Sequence, residues 1–243
     1  MLSYRSFTFD KDFFKAAEQA PVVVVSPHYD DAIFSCGELL SMLPACTVLT
    51  ICTGVPENDA LSTDWDRRCG FSSARQAMET RSLENEAALS VLGANGVDLG
   101  FLDSQYIAGS RLDSALLADT VTSNIEQIRP SSVIFPLGLF HKDHVHISDT
   151  FVTICSRFPG ISWMLYEDIP YRNQTGRVTE RLTQLIARGV PISPFGTELA
   201  GDYKTRAVHA YQSQFRGLGH QGAAPVMHLN EKFWRLHCSL ELP

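Results

Sequence analysis

Four consecutive valines, Val22–Val25, sit behind Pro21 and directly ahead of the polar run Ser26-Pro27-His28-Tyr29-Asp30-Asp31. A β-branched run this short, without polar alternation, is expected of a strand covered on both faces. The same kind of segment recurs at TVLTICTG (47–54), VDLGFL (97–102), SSVIFPLG (131–138) and ISWMLYED (161–168). Between them lie stretches that suit helices. These are 32–43, Ser73–Leu92 stopped by Gly93, Leu112–Ile128 stopped by Arg129-Pro130, 146–158, and 199–215 with Gly201 as a weak point. The polar stretch 57–71 and Pro191–Pro194 read as loops.

Strands alternating with helices predict an α/β fold, a Rossmann-like, mostly parallel sheet flanked by helices. The expected organisation is one domain over residues 1–243, with the part from about 175 onward as a substrate-capping extension. In such sheets ligands bind beyond the carboxyl ends of the strands. The polar clusters that follow the strands are therefore the place to look for chemistry.

Composition supports the fold class and excludes some functions. With 44% hydrophobic residues in 243, the chain can build its own core. Twenty Lys+Arg against 27 Asp+Glu give a net charge of −7, which argues against a nucleic-acid partner. The start has no apolar signal core, and Val22–Val25 is the longest clean apolar run, so no membrane span is expected. The expectation is a cytoplasmic protein, compatible with a homo-oligomer. Six cysteines, none in a C-x-x-C pair, read as reduced, buried small hydrophobes rather than metal ligands.

Two polar clusters carry the chemistry. After the first strand, His28 offers an imidazole nitrogen and Asp31 a carboxylate, with Asp30 beside them; either acid could instead cap the next helix. After the SSVIFPLG strand comes Phe140-His141-Lys142-Asp143-His144-Val145-His146, with three histidines and an acid in six positions. Both clusters meet at one rim of a parallel sheet. A set of His28, Asp31 and one histidine of the second cluster would give three ligands and an open position, the pattern of a catalytic rather than a structural zinc.

These motifs resemble those of the PIG-L/LmbE-type N-deacetylases, zinc-dependent enzymes acting on N-acetyl sugars. The family's His-Pro-Asp-Asp-Glu is similar to His28-Tyr29-Asp30-Asp31-Ala32, and its His-x-Asp-His to His141-Lys142-Asp143-His144. Arg81, Glu84, Ala88, Leu92-Gly93, Lys204 and Ser213-Gln214 extend the resemblance from Pro21 to Gln214. It implies His28, Asp31 and His144 as metal ligands, Asp30 as general base and His141 as the group that stabilises or protonates. The cofactor it implies is Zn²⁺, with another divalent ion as the substitute. The implied reaction is hydrolysis of an N-acyl group from an amino sugar or glycoconjugate, a small-molecule partner. Tyr29 in place of Pro and Ala32 in place of Glu are departures, and no substitute for that Glu can be named from sequence.

Several further residues are candidates. Asp143 is expected to orient an imidazole or cap a helix. Arg81 is expected to hold Asp30 or a substrate group. Trp65, Asp66 and Arg67 in the 57–71 loop, and Tyr166 and Glu167 after the fifth strand, are expected to contact the sugar. Hydrolysis of another amide or ester, and non-catalytic sugar binding around a retained metal, are the competing readings. Retention of the non-ligand Asp30 favours catalysis. A nucleotide-binding protein would need a glycine-rich loop after the first strand, which SPHYDDAIFSCG lacks.

Overall fold

A computed structural model of the chain describes residues 11–107, 112–169, 171–196, 199, 201–219 and 229–238. The elements are α1 (Lys11–Ala17), β1 (Val22–Ser26), α2 (Asp31–Met42), β2 (Cys46–Thr50), α3 (Asp64–Arg68), α4 (Ala74–Leu92), β3 (Asn95–Asp98) and α5 (Ser114–Ile128). They continue with β4 (Ser132–Pro136), α6 (Lys142–Ile154), β5 (Ser162–Tyr166), α7 (Arg177–Ala187), β6 (Ile192–Phe195), α8 (Tyr203–Val208) and β7 (Phe233–Leu236).

The seven strands lie in the order β3-β2-β1-β4-β5-β7-β6. The first five are parallel, while β7 runs antiparallel to both β5 and β6. The four valines show why β1 is central. All are fully buried, and they alternate between two apolar layers. Val22 and Val24 join Ile33, Leu39, Met78 and Val208 on one face, and Val23 and Val25 join Leu117, Val121, Ile147 and Phe151 on the other. Burial at this level stabilises by about 1.5–3 kcal/mol per side chain.

The strand order reverses direction at β1, which has β2 on one side and β4 on the other. That is the topological switch point, where the loops after β1 and β4 part to leave a crevice. Both His/Asp clusters follow these two strands.

Six expectations need correction. The stretch 57–71 contains a helix, α3, closed by a capping box between Thr63 and Asp66. The second strand stops at Thr50, and the third begins at Asn95 and ends at Asp98. Helix α6 starts at Lys142, so His144 lies in its first turn rather than in a loop. Pro191–Pro194 overlaps the edge strand β6, where proline is tolerated. The 199–215 helix is broken: α8 ends at Val208, and a second helical stretch covers 212–219. No helix among the described residues is long and apolar enough to cross a membrane.

Candidate active site

The turn after β1 is organised by Ser26. Its hydroxyl accepts the Ala32 N–H at 2.9 Å and donates to the His28 carbonyl, so it satisfies the N-terminus of α2. Asp30, which occupies the N-cap position, makes no capping hydrogen bond. Its carboxylate is left for other work. Asp31 Oδ2 accepts the His28 backbone N–H at 2.8 Å and lies 3.0 Å from His28 Nδ1 and 3.1 Å from His144 Nε2. Ring nitrogens of His28, His141 and His144 come within 4.8 Å of one another. Donors from the two clusters therefore converge.

The far nitrogens of both ligand-candidate histidines are held by acids. His144 Nδ1 is 2.6 Å from Asp168 Oδ1, and both side chains are fully buried. His28 Nε2 is 3.3 Å from Asp143 Oδ2 and 3.6 Å from Asp103 Oδ2. Asp143 is kept in place by the Ser104 N–H at 3.1 Å, and Asp168 by the amides of Gly138 and Leu139. Donation to these acids leaves His28 Nδ1 and His144 Nε2 as the lone-pair nitrogens, facing Asp31.

This donor set fits a divalent ion. His144 Nε2 is buried and forms no aligned hydrogen bond, although a carboxylate oxygen stands 3.1 Å away. Two lone pairs at that distance repel unless a cation lies between them. Without an ion, the proton does this job. Burial disfavours the His144 imidazolium, but Asp31 and Asp168 on either side outweigh it and raise its pKa to about 9. His28 is likewise raised by Asp103, Asp143 and Asp31 against the cost of burial. Two imidazoles and one carboxylate suit zinc better than magnesium or calcium.

Asp30 and His141 have opposite electrostatics. Burial, then the Asp31 charge, raises Asp30 to about 7, while His28 and Arg81 hold it down. Burial, then the neighbouring His28 and His144, lowers His141 to about 4. His141 is thus a neutral imidazole at pH 7. Its Nδ1 accepts the Asp143 backbone N–H at 3.4 Å as the N-cap of α6, which places the ring proton on Nε2.

A cavity of about 400 Å³ covers these groups; His28, Asp30, Asp31 and His141 line it, with Trp65, Arg68, Arg81 and Tyr171 among its walls. Tyr29 ties the first cluster to the sheet edge, its hydroxyl donating to Asp98 at 2.7 Å. Ala32 is fully buried in the apolar layer. Cys52, set aside with the other cysteines in the sequence, stands with His28 and Asp143 in the site wall, but burial raises its thiol to about 11.

The expected sugar contacts divide. Trp65 lines the cavity with Arg68 4.8 Å from its ring centre. Arg81 lines it too, but its guanidinium is buried against Asp66 at 3.0 Å and Tyr106 at 3.3 Å. Asp66 is fully buried and already accepts from Thr63, Tyr106 and Arg81. Arg67 is exposed and occupied by the Ser62 carbonyl and Asp64, away from the cavity lining. Tyr166 is fully buried, its hydroxyl donating to the Val25 carbonyl. Glu167 is buried against Trp234 and Arg172. These four positions turn inward or sideways because their side chains are consumed by the fold. Asp168, next to Glu167, faces His144 instead, a partner that the sequence reading did not assign to it.

The PIG-L profile, described as GlcNAc-PI de-N-acetylase, matches residues 23–155, more than half of the 243-residue chain. The chain belongs to the PIG-L family. The matched span runs from β1 through α6 and so contains both His/Asp clusters. A relative, 2'-N-acetylparomamine deacetylase of Streptomyces fradiae, is 30% identical over 224 residues, which is 84% of this chain and 77% of that protein. Among solved structures, the A40926 pseudoaglycone deacetylase superposes with a TM-score of 0.69 at 25% identity, covering 89% of this chain and 96% of that one. A triple mutant of a deacetylase in the teicoplanin biosynthetic pathway superposes with a TM-score of 0.73 at 21% identity, covering 90% and 98%. At that identity the second match speaks to the fold alone.

Proposed function

We propose that this PIG-L protein is a divalent-metal-dependent N-deacetylase that removes an acetyl group from an acetamido sugar within a small glycoside. The observation that carries this reading is the placement of a free, non-capping Asp30 beside the His28–Asp31–His144 donors at the cavity wall. The relatives that are deacetylases of N-acetylated natural products support the substrate class. Zinc is the ion the donor chemistry favours.

His28, Asp31 and His144 would hold the ion. Such an ion acts as a Lewis acid and acidifies water at neutral pH. The chain's own groups do the rest. Asp30 accepts a proton from the attacking water. The carboxyl so formed returns that proton to the departing amine nitrogen, and the products are acetate and a free amino sugar. His141 Nε2–H donates toward the acetamide oxygen as charge builds on it. Trp65 offers an aromatic face to the sugar ring, and Arg68 lies against it. Arg81 has a positioning role: its charge, fixed by Asp66, favours the carboxylate form of Asp30.

The test is metal analysis combined with acetate release from a panel of N-acetylated sugars and glycosides. Release of acetate, abolished by chelation and restored by zinc, is the expected result. Failure to release acetate from any of them in a metal-replete sample would overturn the reading.

A further inference from the structure

Phe140 is one of two non-glycine residues with positive φ among the described residues, at 60°. Its neighbours close a three-residue turn around it, with the His141 N–H donating to the Leu139 carbonyl at 2.6 Å. A γ-turn with positive φ at its centre is rare and strained, and a bulky residue makes it more so. The turn itself has a clear purpose, since it delivers His141 to the N-cap of α6. A glycine would serve that backbone at less cost. Yet the position carries a phenylalanine that is 57% exposed. Strain that persists where an easier residue exists points to work done by the side chain.

The surroundings indicate what that work is. Tyr171, which lines the cavity, stands 5.6 Å from the Phe140 ring centre and 6.3 Å from that of His141. The Arg177 guanidinium, at the start of α7, lies 5.0 Å from the Phe140 ring centre. An aromatic ledge with a cation beside it thus runs outward from the reacting centre, continuous with the cavity. An exposed aromatic ring matches the apolar C–H face of a pyranose, and a guanidinium matches its hydroxyl oxygens.

We propose that Phe140, with Tyr171 and Arg177, forms an outer subsite for the ring joined to the acetamido sugar, so that the enzyme discriminates glycosides from free monosaccharides. This subsite rests on the deacetylase reading, which places the acetamido sugar in the cavity.

The experiment compares N-acetylglucosamine with N,N'-diacetylchitobiose for wild type, Phe140→Gly, Phe140→Asn and Phe140→Trp. Glycine and asparagine both accept the backbone conformation but lack the ring. Both should reduce kcat/KM for the disaccharide about tenfold more than for the monosaccharide, and Phe140→Trp should retain the disaccharide preference. Thermal stability of Phe140→Gly should equal or exceed wild type. Equal losses on both sugars, or a disaccharide preference that survives in Phe140→Gly, would overturn the subsite. So would a lowered melting temperature for Phe140→Gly, which would make the ring a packing element. Calorimetric titration of the disaccharide into the same proteins reads the ledge without turnover. If wild type binds the disaccharide about tenfold more tightly than Phe140→Gly but releases no acetate, the subsite stands and the deacetylase reading falls. If the two bind alike, the subsite falls whatever the activity.

Discussion

His144 Nδ1 and Asp168 Oδ1 are 2.6 Å apart, and neither side chain reaches solvent. The pair joins the first turn of α6 to the end of β5. Asp168 accepts a hydrogen bond from Nδ1–H and so leaves the Nε2 lone pair for the proposed ion. Removing such an acid behind a metal-binding imidazole typically costs about 10–100-fold in affinity. Asp168→Asn is therefore expected to weaken zinc binding by that factor, measured by competition with a chromophoric chelator. Asp168 also accepts two backbone amides, so a merely structural role would lower the melting temperature equally with and without zinc. A reduced zinc-induced shift separates the two roles.

At the proposed site the ion and the His144 proton would compete for one position. In the metal-free protein His144 holds its proton up to about pH 9. Zinc binding at pH 7–8 should therefore release protons, seen as a buffer-dependent heat in calorimetry. The sign of the stability effect follows. A histidine whose pKa is raised on folding contributes stability that is fully present below about 6.5 and is lost as pH rises through about 9. Metal-free protein should lose melting temperature over that window. Zinc-loaded protein should not, because the ion replaces the proton.

The strands that were legible in the sequence were those buried on both faces. The runs at β1, β4 and β5 have no polar alternation to confuse them, and their burial is nearly complete. Strand β6 was hidden by Pro191 and Pro194, and β7, antiparallel between β5 and β6, by its Trp and Arg. Helix α7 fully buries only Arg181 and Leu185, although Val178, Leu182 and Leu185 share the spacing of one helix face. In the site, the two His/Asp clusters were legible because the carboxyl ends of adjacent parallel strands must meet. Asp168 was not, since its partner is 24 residues away and only the sheet brings them together. Asp66 was misassigned although Thr63-x-x-Asp66 carried the signal of a capping box, which turns that carboxylate inward.

Asp30 should be separable from the metal. Asp30→Asn removes the proton acceptor but leaves His28, Asp31 and His144, so zinc content should be retained while kcat falls about 10²–10⁴-fold. Near wild-type turnover by this variant would refute the assignment of the base. The acid limb of the wild-type pH–rate profile should report Asp30, with rate lost as pH falls. In the metal-free protein the group titrates at about 7, and a bound dication moves the limb lower. Arg81→Met removes a positive charge that lowers the Asp30 pKa, so it should move the limb upward.

Ser26 connects fold to chemistry through a single hydroxyl. It accepts from Ala32 at the start of α2 and donates to the His28 carbonyl, and it is fully buried. Ser26→Ala leaves the Ala32 N–H without its partner. Loss of a helix-capping oxygen of this kind costs about 0.5–2 kcal/mol. Asp30 occupies the N-cap position, so in the variant its carboxylate is expected to turn inward to cap α2. The consequence is a double loss: a modest drop in denaturant midpoint, and a fall in kcat much larger than that drop explains, because the base has been taken from the cavity. Ser26→Thr keeps the hydroxyl and should recover the rate. A variant that loses stability but keeps full kcat would show that Asp30 does not depend on Ser26 for its freedom.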